Sequence, residues 1–127
     1  MKILALDLGK YKSVFCDFDS GSGKHEFGRI QTQPQEMHDL FVERQPDRLV
    51  IEAGPAAGWV YDMARALKIE AEVANTNHEI WKGHVSQNKN DRSDALRLAK
   101  LSWLGELPKV HMPGKAVRQM RSLIEYR

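Results

Sequence analysis

Two short apolar runs in this chain each end on an acid. Ile3-Leu4-Ala5-Leu6 meets Asp7, and Leu49-Val50-Ile51 meets Glu52. Runs this short and continuous read as strands buried on both faces, the pattern of a sheet with helices on either side. A carboxylate inside such a setting is expensive without a partner or a cation. If the two strands are parallel neighbours, Asp7 and Glu52 converge at one sheet edge, where open α/β sheets place their ligands.

The remaining pattern supports that architecture. Ser13–Asp19 alternates, with Val14, Cys16 and Phe18 on one side and Phe15, Asp17 and Asp19 on the other, which predicts a half-buried strand. Ser20-Gly21-Ser22-Gly23 reads as a turn into an edge-like strand over Lys24–Thr32. Pro34 suits the first position of a helix that ends near Gln45-Pro46. Arg48–Ala53 and Ile69–Ala74 read as strands, and between them Trp59, Val60, Met63, Ala64 and Leu67 make a helical stripe. Asn75–Asn90 is polar and basic without periodicity; Asp91–Leu104 and Lys115–Arg127 read as helices. The order β-β-β-α-β-α-β-α-α predicts a mixed sheet flanked by helices.

A second acid pair stands on the helix that opens at Asp91. Asp91 and Asp94 are three residues apart and share a face with Ala95 and Leu98, the stripe expected to pack on the sheet. Four carboxylates without a Cys cluster or a closely spaced His pair suit a hard cation, Mg²⁺ or Mn²⁺. Each acid also has a plainer reading. Asp91 serves as a helix N-cap with Asp94 completing a capping box, Glu52 pairs with a neighbouring Arg, and Asp7 belongs to a turn before Gly9. Charge adds a direction. Residues 1–81 hold nine Lys/Arg against thirteen Asp/Glu, a net of −4, and residues 82–127 hold ten against four, a net of +6. Lys10, Lys12, Lys82, Lys89 and Arg92 surround the acids in sequence and suit a nucleic-acid backbone.

Several classes are excluded or left without support. No apolar run reaches the roughly 18 residues of a membrane span. The single Cys16 excludes an internal disulfide and reads as a small core residue, consistent with a reducing, cytoplasmic setting. Ser13 and Ser86 lack the neighbours of a hydrolase triad. Gly54-Pro55-Ala56-Ala57-Gly58 lacks the pattern of a phosphate-cradling loop. Trp81 reads equally as a base-stacking residue or as packing, His78 and His84 as surface residues, and Trp59 and Trp103 as packing residues.

Leu6-Asp7-Leu8-Gly9-Lys10, Ile51-Glu52-Ala53-Gly54-Pro55 and Asn88-Lys89-Asn90-Asp91-Arg92-Ser93-Asp94-Ala95, in that order and spacing, resemble the N-terminal domain of DEDD transposases of bacterial insertion sequences and the Piv-type invertases. Asn90 stands where Thr is usual. The resemblance implies a RuvC-like, ribonuclease H-like fold with a five-stranded mixed sheet in the order 3-2-1-4-5. It implies that Asp7, Glu52, Asp91 and Asp94 form a catalytic, metal-binding tetrad acting on DNA phosphodiesters in transposition or site-specific recombination. Some members are guided by a structured RNA, and members act as oligomers. It further implies that residues 1–108 are the catalytic-fold domain. Residues 109–127 then begin a helical connector to a C-terminal domain that carries a serine used in strand exchange. Two other classes remain beside it: a non-catalytic DNA- or guide-RNA-binding module or transposase remnant, and a fragment of an actin-like sugar kinase, which shares the Asp-x-Gly turn.

Overall fold

The computed structural model describes residues 1–75 and 91–112, with the Asp91 side chain outside the described set. The expected irregular stretch to Asn90, with Trp81, Lys82 and Lys89, and the expected helix over Lys115–Arg127 lie outside the described residues. The strands are β1 (Lys2–Leu8), β2 (Lys12–Asp19), β3 (His25–Gln31), β4 (Arg48–Glu52) and β5 (Glu70–Ala74). The helices are α1 (Pro34–Arg44), α2 (Ala57–Ala66) and α3 (Asp91–Leu104). The sheet order is β3-β2-β1-β4-β5, with β1 antiparallel to β2 and parallel to β4, and β4 parallel to β5. The sheet is mixed, as the residue pattern predicts, and its strand order is the one the family resemblance implies.

β1 lies at the centre, and Ile3, Leu4, Ala5 and Leu6 are each fully buried. Alternation sends them to opposite faces. Leu4 and Leu6 join Leu49, Ile51, Met37, Phe41 and Val60 in a core under α1 and α2. Ile3 and Ala5 join Cys16, Val50, Ala95, Leu98 and Ala99 in a second core under α3. Among the described residues the result is three layers, two helices on one face and one on the other.

Pro34 occupies the first turn of α1, and the helix stops at Gln45, whose left-handed φ of 46° lets its N–H bond the Phe41 carbonyl. Pro108–Val110 return to β5, where the Val110 N–H bonds the Val73 carbonyl at 2.8 Å and covers part of that edge.

β2 departs from the half-buried expectation: both of its faces are covered. Phe15 is 5% exposed and belongs to the α1–α2 core. Its neighbour Asp17 is shielded by Arg44 of α1, 3.4 Å away. Arg44 also forks onto Glu26 at 3.0 and 3.1 Å and lies over the Phe15 ring, 5.0 Å from its centre. That guanidinium holds the Glu26 carboxyl below the usual carboxylate range. Asp17, which reads as solvent-facing in sequence, is thus the partner of a helix brought from elsewhere in the chain. Trp103 also departs from expectation: it is 49% exposed, turned about 100° from buried Ser102 and about 140° from buried Leu98 around the helix.

Gly28 stands opposite Phe15 across β2 and β3, and a Cβ there would overlap the Phe15 ring. Gly28→Ala is expected to lower stability by about 1–3 kcal/mol in urea denaturation. Adding Phe15→Leu should recover part of that loss, and strictly additive effects would mean the ring and the glycine do not depend on each other. Cys16 is fully buried, and burial pushes its thiol up to about 12. The folded state therefore favours the protonated form. Its contribution is complete below the ordinary thiol range and is lost as pH rises toward about 12. Cys16 should resist a thiol reagent at pH 8 in the folded chain and react in urea; fast labelling of the folded chain would contradict this.

Candidate metal and nucleic-acid site

The strand register decides where the acids go. Leu6 pairs with Ile51, so Asp7 and Glu52, each one residue further on, end neighbouring parallel strands side by side. Ile3 and Ala5 face α3, and so does Val50. By alternation Asp7 and Glu52 share that face. On its other side Asp7 pairs with Val14, which pairs with Arg29. Arg29, Val14, Asp7 and Glu52 therefore form one row across the sheet on the α3 face. Both acids are half-buried, and both take part in polar contacts.

α3 brings the third acid to the same face. Asp94 is 5% exposed on the helix side that carries Ala95, Leu98 and Ala99 into the core. At the far end of α3, Ser102 is 3% exposed. Its hydroxyl donates to Glu72 Oε1 at 2.6 Å, and Arg48 Nη1 donates to Ser102 Oγ at 3.2 Å. Lys109 Nζ reaches the other Glu72 oxygen at 3.0 Å. These bonds hold the end of α3 over the start of β4. α3 thus packs mainly on β1 and β2, with its last turn reaching β4 and β5, and carries Asp94 on the side that faces the sheet.

Asp91 opens α3 as expected, with its side chain outside the described residues. Among the described residues, no three His, Cys, Asp or Glu side chains close into a metal-holding group. Lys10 and Lys12 are exposed beside the end of β1, and Arg92 is exposed on α3 with its guanidinium 5.8 Å from the Phe27 ring centre. Arg29 went unnoticed in the sequence, since only the β2–β3 register aligns it with Asp7. Tyr11 did too; it is 74% exposed between Lys10 and Lys12.

Behind Glu52, on the α1–α2 side, a cleft of about 500 Å³ opens at the ends of β1 and β4. Leu8, Pro55, Ala56 and Trp59 form its apolar wall, and Lys10, Thr32 and Glu52 are its polar members. Gly9 makes the turn beside it possible, because a Cβ there would overlap the Lys12 carbonyl.

Residues 4–127 match the family model of DEDD transposases of the IS110 type, described as transposase. The chain belongs to this DEDD transposase family. Among curated proteins, none matches it. Among solved structures it is similar to Thermus thermophilus RuvC, at 13% identity and a TM-score of 0.57 over 87% of this chain and 100% of that one. The same protein with a Holliday junction substrate matches at 12% identity and a TM-score of 0.54, with 87% and 100% covered. A Fowlpox virus resolvase bound to Holliday junction DNA matches at 12% and 0.55, with 83% and 97% covered. The transposase chain therefore has the RuvC-like, ribonuclease H-like fold that its strand order indicates. Among the described residues no helix is long and apolar enough to cross a membrane.

In this transposase domain, Ser102→Ala removes the donor from a Glu72 carboxylate that is only 11% exposed. The expected loss is about 1–3 kcal/mol in urea denaturation. A loss below about 0.5 kcal/mol would show that this cluster does not hold the end of α3.

Proposed function

We propose that Asp7, Glu52, Asp91 and Asp94 hold divalent metal, Mg²⁺ or Mn²⁺, and that the chain is the catalytic-fold part of a transposase or recombinase acting on DNA phosphodiesters. The observation that carries this reading is the register placing Asp7 beside Glu52 on the face that α3 covers with Asp94. The donor set fits such an ion, since carboxylate oxygens are the ligands hard cations prefer. The chemistry such an ion brings when bound is stabilisation of the attacking and leaving oxygens of a phosphodiester. Lys10, Lys12 and Arg92, with Lys82 and Lys89, meet phosphates, and Arg29 extends that set along the Asp7 row. DNA as substrate is supported by the family and by the Holliday junction DNA in the RuvC and resolvase structures. In this reading residues 1–108 are the catalytic-fold domain and 109–127 begin the connector to a second domain. Oligomerisation and a structured guide RNA, where used, belong to the longer protein.

Titration of Mn²⁺ into the chain with a short DNA duplex, followed calorimetrically, tests the acids. Binding is expected in the unaltered chain and is lost in both Asp7→Ala and Asp94→Ala. Unchanged affinity in both variants would overturn the assignment.

A further inference from the structure

The cleft behind Glu52 is larger and more apolar than a phosphate contact requires. Phosphates and sugars of an intact backbone are met by cations and hydrogen-bond donors on an open surface. Here a cavity of about 500 Å³, within the usual range of roughly 300–1,000 Å³ for ligand pockets, has Leu8, Pro55 and Trp59 along its wall. Trp59 is half-buried: it packs on the α1–α2 core and also lines the cleft. Lys10 supplies positive charge at the rim, and Thr32 a hydroxyl-bearing side chain. Glu52 is shared, since it lines the cleft and also stands beside Asp7 in the carboxylate row.

We propose that this cleft seats one nucleoside of a DNA strand, turned out of its stack, with Trp59 as the wall its base or sugar packs against. The proposal rests on the reading of the strand ends as the DNA-facing site. An unstacked base loses its neighbours' faces and regains one on an aromatic side chain, an exchange that tolerates any base. Glu52 borders the cleft at the strand ends, so the phosphate attached to the seated nucleoside leaves the cleft there, where the backbone can pass to the α3 face that carries the acids. Lys10 meets the flanking phosphate. Trp59 is then a positioning residue that recognises an unpaired nucleotide by its apolar face and reads no sequence.

The test uses the full chain with Trp81→Phe and Trp103→Phe, leaving Trp59 as its sole tryptophan. It is titrated with a short oligothymidylate and with an abasic oligonucleotide of equal length and charge. Trp59 fluorescence should be quenched by the first and not by the second. Trp59→Ala, placed in the unaltered chain, should weaken oligothymidylate binding about tenfold and leave abasic binding unchanged. Circular dichroism monitors folding of that variant. Trp59→Phe, which keeps an aromatic face, should stay within about threefold of the unaltered chain. Equal affinity for both oligonucleotides, without quenching and without an effect of Trp59→Ala, would overturn the seat and leave DNA binding at the strand ends standing. Failure of both oligonucleotides to bind would overturn the seat and that DNA-binding reading together.

Discussion

β1 is covered on every side it has. Neighbouring strands occupy both of its edges, and a layer of helix covers each face, so that Ile3 through Leu6 have no contact with water. A strand in that position cannot slip by a residue without carrying charged Lys2 or Asp7 into an apolar layer and repacking both cores. Its parallel pairing with β4 requires a crossover, which α1 provides, and its antiparallel pairing with β2 needs only the tight turn at Gly9. The rest of the molecule is arranged around that strand. Asp7 inherits its position from the same constraint: it is where the buried run stops, and its neighbours on either side are fixed by register.

The strands that are apolar throughout were legible because burial on both faces leaves its mark in the sequence. β1 and β4 needed no information from elsewhere in the chain. β2 was legible only in part. Its Asp17 and Asp19 resemble a solvent face, and nothing nearby reveals that Arg44 comes from the end of α1 to cover Asp17 and lie on Phe15. A long-range ion pair can make a covered face look polar. Trp103 misled in the opposite direction, since aromatic character indicates packing while the helix phase sets it outward.

Asp7 and Glu52 were legible as acids that end apolar runs, and the alternation of β1 and β4 accounts for their sharing a face. What surrounds them was not. Arg29 joins the Asp7 row through the pairing of two strands, and the cleft is assembled from the end of β1, the residue after β3, the segment after β4 and the first turn of α2. No window of sequence contains such a set. The polarity of the site follows the same division. Carboxylates occupy the centre of the strand ends, while Lys10, Lys12, Arg29 and Arg92 stand around them.

The attachment of α3 has a mechanical consequence. One polar anchor is at Ser102, and Asp94, which has contacts of its own, lies about 12 Å nearer the other end. A rigid helix transmits displacement from one to the other. A tilt of about 5° about Ser102 would carry Asp94 roughly 1 Å along the sheet. Small Ala95 and Ala99 let the helix lie close to the strands and restrain that tilt. The position of Asp94 thus depends in part on Ser102, about two turns away along the helix.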